Sequence, residues 1–111
     1  MAKELVPIEC TTIEEVINAI NRIAAECTHF KIGKTGENVQ DRGNQEDYQD
    51  YDYIRSVFKT ESQDLVSYWE GYFINRYIDH PRNDNKKDGV QSLKDSMAIA
   101  SEYHLYVVWR I

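Results

Sequence analysis

The sequence predicts a small α+β domain in which an antiparallel sheet of about three strands is flanked by helices. Apolar residues recur at helical spacing in residues 13–27, whereas short runs rich in β-branched and aromatic residues, bounded by turn-forming residues, indicate strands. The chain has 111 residues, of which 41% are hydrophobic and 29% charged, and can bury one modest core. We therefore predict a single domain, 1–111.

Residues 1–27 are interpreted as an N-terminal extension followed by a helix. Residues 5–10 are apolar but interrupted by a proline, so we expect an edge strand or an extended lead-in, because proline cannot donate a ladder hydrogen bond. Thr11 or Thr12, with Glu14 or Glu15 three positions later, predicts a capped start for the first helix.

The middle of the chain alternates strands with helices. Residues 29–33 and 53–59 predict strands, and a short helix is expected around residues 38–42. Thr60, with Gln63 three positions later, predicts the capped start of a second long helix that continues to about residue 78. The predicted stripe on this helix consists of Leu65, Trp69, Tyr72, Phe73 and Arg76.

The last segment, 90–111, predicts a C-terminal helix and strand. Turn-forming residues precede it, and residues 90–101 then carry Leu93, Met97 and Ala100 at spacing that would place them inward on a helix. Residues 105–111 are largely apolar, which predicts a strand covered on both faces.

The net charge of -6 opposes binding to a nucleic acid, because phosphate contacts need local clusters of lysine and arginine. Basic residues do gather in the middle of the chain: Lys31, Lys34, Arg42, Arg55, Lys59, Arg76, Arg82, Lys86 and Lys87. Two isolated cysteines and an N-terminus without signal-peptide features predict an intracellular, cytoplasmic protein. No apolar run is long enough for a membrane span, so we expect no membrane partner.

The most informative motif is F-K-I-G-K-T at residues 30–35, which is followed by Arg42 and, much later, by Glu70 within a helix. Gly33 lets the backbone approach a ligand, because glycine carries no Cβ. An arginine can bind a phosphate through two parallel hydrogen bonds, and a helix carboxylate can hold a divalent cation. These groups together are typical of a site that cuts phosphodiester bonds.

Over residues 28–85 this arrangement resembles the GIY-YIG nuclease superfamily, in particular a phage-borne branch whose second strand reads Y-K-I-G-K-T. The resemblance implies a metal-dependent nuclease that hydrolyses nucleic acid with Mg²⁺ or Mn²⁺. It implies that Arg42 is the catalytic arginine and that Glu70 is catalytic through the metal it binds. It also implies substrate-binding roles for the following residues: Lys31, Gly33, Lys34, Asn83 and Asn85.

The family's first tyrosine, in its G-I-Y strand, has no counterpart directly before F-K-I-G, and Phe30 replaces the tyrosine of the second strand. We hypothesise that the last strand, which reads His104-Leu105-Tyr106, occupies the space of the G-I-Y strand through permuted connectivity. Tyr106 would then return a catalytic tyrosine to the site. Residues 5–10 are the competing candidate for that space.

Each candidate residue also has a purely structural interpretation. Glu70 lies between Val66 and Ile74, one helical turn away on either side, so its row is apolar and its carboxylate requires a partner. A cation would satisfy it, but so would Arg55 or Arg76. Arg42 could pair with neighbouring acids, the two lysines of the motif could be solvated, and the asparagines suit a turn.

A different class of function remains open on the same fold. The chain would then be a non-catalytic binding or interaction protein that engages a nucleotide-like ligand or a protein partner. The run D-Y-Q-D-Y-D-Y, which contains Tyr48, Tyr51 and Tyr53, could form such a binding surface, or it could be a polar loop that enters a strand. The three histidines share no metal-binding spacing, so no zinc site is expected.

Overall fold

A computed structural model describes residues 1–86 and 97–111 and gives an α+β fold around a four-stranded mixed sheet. The strands are β1 (Lys3–Glu4), β2 (His29–Thr35), β3 (Tyr53–Thr60) and β4 (Tyr103–Arg110). The helices are α1 (Ile13–Glu26), α2 (Val39–Gly43) and α3 (Gln63–Tyr77), with a 3-10 turn at Glu46–Tyr48. The α+β prediction is therefore confirmed.

The sheet has the order β1-β3-β4-β2, so the last strand of the chain lies at its centre. Strand β4 pairs antiparallel with both β2 and β3, as the antiparallel prediction requires. The additional strand β1 is two residues long and pairs parallel with β3, which makes the sheet mixed. Its shortness explains why no sequence pattern predicts it.

The segment 5–10 is an extended lead-in rather than a strand. The amides of Leu5 and Ile8 donate to the carbonyls of Ile54 and Ser56, so the segment continues along β3 after β1 ends. It does not occupy the position beside β2, which belongs to β4.

Helix α1 begins with the predicted cap. The Thr12 hydroxyl accepts a hydrogen bond from the Glu15 amide at 3.1 Å, and the Glu15 carboxylate in turn accepts hydrogen bonds from the hydroxyls of Thr11 and Thr12. This reciprocal arrangement satisfies amide groups that the first helical turn leaves without partners.

Helix α3 corrects two sequence predictions. Its N-terminal cap is Ser62, whose hydroxyl accepts from the Leu65 amide, whereas Thr60 accepts from the amide of Ser62 within the preceding turn. The predicted stripe is also wrong in part, because the side chains of Leu65 and Tyr72 are 40% and 37% exposed. The buried positions of α3 are Val66, Ser67, Glu70, Gly71, Phe73, Ile74 and Tyr77.

The predicted helix at 90–101 lies mostly outside the described residues. Its last part is described, and residues 97–101 are not helical. Strand β4 starts two residues earlier than predicted, at Tyr103, and the side chains of Leu105 to Trp109 are buried, which confirms a strand covered on both faces.

The capping arrangement at the start of α1 predicts a pH dependence of stability. Hydrogen bonds from Thr11 and Thr12 lower the pKa of Glu15 in the folded protein. A lowered folded-state pKa stabilises the protein fully above the unfolded-state pKa, and this contribution is lost as the pH falls through the folded-state value. The melting temperature of Glu15→Gln should therefore fall less on acidification from pH 7 to about pH 3 than that of the unsubstituted protein.

Glu14→Gln is the matched control, because Glu14 is the exposed neighbour in the same helical turn. Thermal unfolding followed by circular dichroism at several pH values measures the difference. An identical acid dependence in the unsubstituted protein and Glu15→Gln would contradict the role of this carboxylate.

Candidate functional site

The two faces of the sheet have different coverings. Along β4 the side chains alternate, so that Leu105 and Val107 pack in a cluster with α1 and α3 while Tyr106 and Val108 pack in a second cluster that includes Val39 of α2. We call the first the helical face and the second the tyrosine face. The side chains of the candidate site are described below by the face on which they lie.

Gly33 and Tyr106 lie opposite each other in the β2–β4 register, on the tyrosine face. A Cβ atom added to Gly33 would lie 2.3 Å from the Tyr106 Oη and 2.4 Å from its Cζ. No side chain fits at that distance, so the glycine of F-K-I-G is required by the tyrosine ring packed against it. The absent Cβ of Gly33 thus makes room for the Tyr106 ring of the same protein.

Arg42, at the end of α2, reaches this tyrosine. Its Nε donates to the Tyr106 Oη at 3.0 Å, and its guanidinium carbon lies 5.1 Å from the centre of the Tyr48 ring. The Nη1 atom of Arg42 donates to the side-chain carbonyl of Gln45, whose amide group lies 3.3 Å from both carboxylate oxygens of Glu37. The guanidinium is thereby held on three sides while it remains partly exposed.

Tyr106 and Tyr48 form a buried pair of phenols. Their Oη atoms lie 2.5 Å apart, Tyr106 is fully buried, and Tyr48 is 2% exposed. Burial raises the pKa of both hydroxyls, well above the ordinary tyrosine value for Tyr106. Both phenols therefore keep their protons at neutral pH, and their geometry suits them to orient Arg42 rather than to remove a proton from water.

The two lysines of the motif point to opposite faces. The Lys31 Nζ lies 6.0 Å from the centre of the Tyr48 ring, on the tyrosine face, whereas the Lys34 Nζ donates to the Ser67 hydroxyl of α3 at 2.7 Å. Lys34 and Arg42 nevertheless line one cavity of about 290 Å³ at the end of β2, together with Gly36, Glu37 and residues 97–100. Two cationic side chains from different faces thus line the same cavity at this end of the sheet.

Glu70 is only 8% exposed and lies in the same helical row as Val66 and Ile74, as the sequence pattern predicts. That row faces the helical side of the sheet, opposite the face that carries Arg42. Arg42 and Glu70 therefore do not lie in a single pocket on one face of the sheet. A connection runs through Lys34, because Ser67, which it contacts, precedes Glu70 by three residues on α3.

The described residues offer limited ligands for a metal ion. Within residues 1–86 and 97–111, no group of three or more histidine, cysteine, aspartate or glutamate side chains could hold one. A single carboxylate such as Glu70 fits Mg²⁺ or Mn²⁺ only if water and substrate phosphate oxygens complete the coordination, which is a common arrangement for Mg²⁺.

Asn83 and Asn85 bind the backbone. The side-chain Nδ2 of Asn83 donates to the backbone carbonyl of Tyr77 at 2.8 Å, and its side-chain Oδ1 accepts from the backbone amide of Asn85. The Asn85 side chain accepts from the Ile32 amide at 2.9 Å and donates to the Ile32 carbonyl at 3.0 Å. Both side chains are thus engaged in fixing the 80–85 segment along β2, which favours their structural interpretation.

The acidic tyrosine run folds inward. Besides the buried Tyr48, the Tyr51 hydroxyl donates to the Asp84 carboxylate at 2.5 Å, and burial together with this carboxylate raises the pKa of Tyr51. The second oxygen of Asp84 lies 3.1 Å from the His29 Nδ1. The run is therefore a packed entry into β3 rather than an exposed tyrosine surface.

From the sequence, Gln45 is not identified as a site residue, and Tyr48 is considered only as part of the acidic tyrosine run. No local pattern marks Gln45, since its role depends on the turn that follows α2. Tyr48 has a weak signal, because an aromatic residue in a strongly acidic run requires a reason to be there.

Searches with the chain and with its fold matched no protein-family model, no curated protein and no solved structure. Among the residues that the structure describes, no helix is both long and apolar enough to cross a membrane. The site must therefore be interpreted from its own geometry.

Gly33→Ala tests the close packing against Tyr106. The added methyl group would overlap the phenol ring, so we expect the free energy of unfolding to fall by about 1–3 kcal/mol. Urea denaturation measures the loss. In a Tyr106→Leu background the ring is absent, so Gly33→Ala should lower the free energy of unfolding by about 1 kcal/mol less than it does in the unsubstituted protein. A double-mutant cycle measures this difference to about 0.5 kcal/mol. Equal costs in both backgrounds would show that the ring is not what excludes a side chain.

Proposed function

We propose that this chain is a divergent, permuted GIY-YIG-like nuclease that hydrolyses phosphodiester bonds of nucleic acid with Mg²⁺ or Mn²⁺. The observation that carries the proposal is the hydrogen bond from Arg42 to Tyr106. These two residues are 64 positions apart in the chain, and they meet beside Gly33 of the F-K-I-G-K-T motif. A chance resemblance gives no reason for these three motif positions to come together.

The central position of β4 supports the permuted connectivity. The strand that carries Tyr106 pairs directly with the F-K-I-G strand, with Tyr106 opposite Gly33. This is the position in which a preceding G-I-Y strand would form a hairpin with F-K-I-G. A strand from the end of the chain fills it here, so the tyrosine arrives without a leading strand.

Arg42 is the group best placed to bind a phosphate. Its Nε and Nη1 are used by Tyr106 and Gln45, which fix the plane of the guanidinium, while the side chain stays partly exposed and lines the cavity at the end of β2. A fixed guanidinium stabilises the negative charge that develops on a phosphate in the transition state without first having to reorganise.

Lys34 adds a second positive charge to the same cavity, and Lys31 lies near the Tyr48 ring. Local positive charge of this kind is what an acidic protein needs in order to approach a phosphate backbone. In this proposal the substrate lies across the end of β2, between the face that carries Arg42 and the helix that carries Glu70. A cation held by Glu70 would supply charge stabilisation for the leaving oxygen.

A second candidate function is binding of a nucleotide-like or nucleic-acid ligand without turnover. The specific observation in its favour is the burial of Tyr106 and Tyr48, whose raised pKa values leave neither phenol available as a base. The separation of Arg42 and Glu70 by the sheet also favours it. Under this alternative the cationic cavity is retained while the metal chemistry is absent.

Cleavage of labelled single- and double-stranded DNA and RNA with Mg²⁺ or Mn²⁺ tests the first proposal. We expect Arg42→Ala to lower the cleavage rate by about 100-fold or more, which is the typical cost of removing one transition-state charge donor. Glu70→Gln should abolish cleavage at every concentration of Mg²⁺ or Mn²⁺. Arg22→Ala and Glu26→Gln are matched controls, because both residues are exposed on α1.

Fluorescence anisotropy with the same oligonucleotides and with mononucleotides separates the two candidates. Binding that is weakened by Arg42→Ala, combined with no cleavage under any metal condition, supports the binding protein and rejects the nuclease. Cleavage that survives both Arg42→Ala and Glu70→Gln rejects the site. Neither binding nor cleavage in the unsubstituted protein rejects both candidates.

A further inference from the structure

A second cavity, of about 520 Å³, lies between the N-terminal lead-in and the ends of β3 and β4. Its volume is within the range of small-molecule sites. The apolar part of the lining comes from Pro7, Ile8 and Phe58. The polar part consists of Ser56, Lys59, Glu102 and His104, together with groups of residues 9–11.

Three of these polar side chains form a connected chain. The Ser56 hydroxyl lies 2.8 Å from the His104 Nδ1, and the His104 Nε2 lies 3.1 Å from the Glu102 carboxylate. Ser56 pairs with Tyr106 in the β3–β4 register, and His104 precedes Tyr106 by two residues on the same face of the sheet, which brings the serine and the histidine together. Ser56 is 2% exposed and forms part of the cavity wall.

The carboxylate determines the tautomer of the histidine. Glu102 can only accept when ionised, so the Nε2 of His104 carries the proton and the Nδ1 of the neutral ring is an acceptor. The Ser56 hydroxyl must then donate to Nδ1. An imidazole so placed can take the proton of a serine nucleophile while an acid orients the imidazole, with the two ring nitrogens exchanged relative to the Ser-His-Asp triad.

We propose that Ser56, His104 and Glu102 form a second, hydrolytic site that acts on small carboxylic esters with an apolar acyl group. The nucleophile is Ser56, the general base is His104, and Glu102 is a positioning residue. This inference is independent of the nuclease proposal, because it uses none of the residues that surround Arg42.

The reaction proceeds in two balanced steps. In the first, the Ser56 Oγ bonds to the ester carbonyl carbon, its proton passes to the His104 Nδ1, and the alcohol leaves with that proton as its carbon–oxygen bond breaks. In the second, the oxygen of a water molecule bonds to the acyl carbon and gives a proton to Nδ1, and the bond between the acyl carbon and Oγ then breaks, so that the carboxylic acid leaves as the proton returns to Oγ. Ester and water thus yield acid and alcohol, with no oxidant or cofactor.

The cavity also indicates the substrate class. Apolar side chains at one side favour a short alkyl or aryl acyl group, since burying apolar surface is favourable. The Lys59 ammonium lines the same cavity and lies 3.5 Å from the Glu9 carboxylate at the protein surface. It can supply positive charge near a carbonyl oxygen that becomes negative in the transition state.

The full chain incubated with 4-nitrophenyl acetate provides the test. We expect release of 4-nitrophenol and a mass increase of one acetyl group on Ser56, located by peptide mass spectrometry. Ser56→Ala should lose this acetylation, and Ser56→Cys should retain it, since a thiol replaces the hydroxyl. His104→Gln should lower the acetylation rate by about 100-fold, which is a typical contribution of general base catalysis.

Two further comparisons separate mechanism from structure. Glu102→Gln should lower the acetylation rate, whereas Glu102→Asp, which keeps the carboxylate, should retain most of it. If Glu102 were only a structural contact, the two variants would react at the same rate when their melting temperatures are equal. Ser101→Ala, at an exposed serine beside the site, is the matched control and should react normally. If Ser56→Ala fails to fold by circular dichroism, His104→Gln and the Glu102 pair decide the question.

Several outcomes would overturn the proposal. The unsubstituted protein could remain unacetylated, or the acetyl group could appear only on another nucleophile of the cavity wall, namely Lys59, Cys10 or Thr11. Burial raises the pKa of Cys10 and so keeps it in the unreactive thiol form. Unchanged acetylation in His104→Gln would also exclude the base assigned here.

Discussion

The contact between Gly33 and the ring of Tyr106 is the constraint on which the rest of the candidate site depends. Because Gly33 has no Cβ, the phenol can pack closely against β2, and its hydroxyl contacts both Arg42 and Tyr48. A Cβ atom at this position would overlap the ring, so the ring would have to shift. Arg42 at the end of α2 and Tyr48 of the acidic tyrosine run both form hydrogen bonds with the hydroxyl of this one ring.

Much of the fold could be predicted from the sequence, since it depends on local patterns. Amphipathic spacing marks α1, β-branched and aromatic runs mark β2, β3 and β4, and the burial of Glu70 follows from its apolar helical row. The cap of α3 was misassigned to Thr60 because two hydroxyl residues precede the helix, and only the geometry shows that Ser62 reaches the Leu65 amide. The parallel pairing of β1 could not be predicted, because two residues are too few to form a pattern.

The candidate site was harder to predict for a physical reason. The proximity of Tyr106 to Arg42 follows from strand order, and the resemblance to a known motif suggested that order before any contact was known. The face on which each side chain lies depends on the strand register, which a sequence does not reveal directly. Arg42 and Glu70 consequently come from opposite sides of the sheet, and the Lys34–Ser67 contact connects the end of β2 to the helix that carries Glu70.

The segment at residues 82–85 has a consequence for how this protein can meet other molecules. Strand β2 is at the border of the sheet, and such a border normally offers free amides and carbonyls to any extended chain that approaches. Here the Phe30 amide donates to the Arg82 carbonyl, and the Phe30 carbonyl accepts from the Asp84 amide. The side-chain amide of Asn85 forms hydrogen bonds with both the backbone amide and the backbone carbonyl of Ile32. Along that stretch no visiting peptide can extend the sheet, so whatever this side of the molecule recognises must be selected by charge and shape.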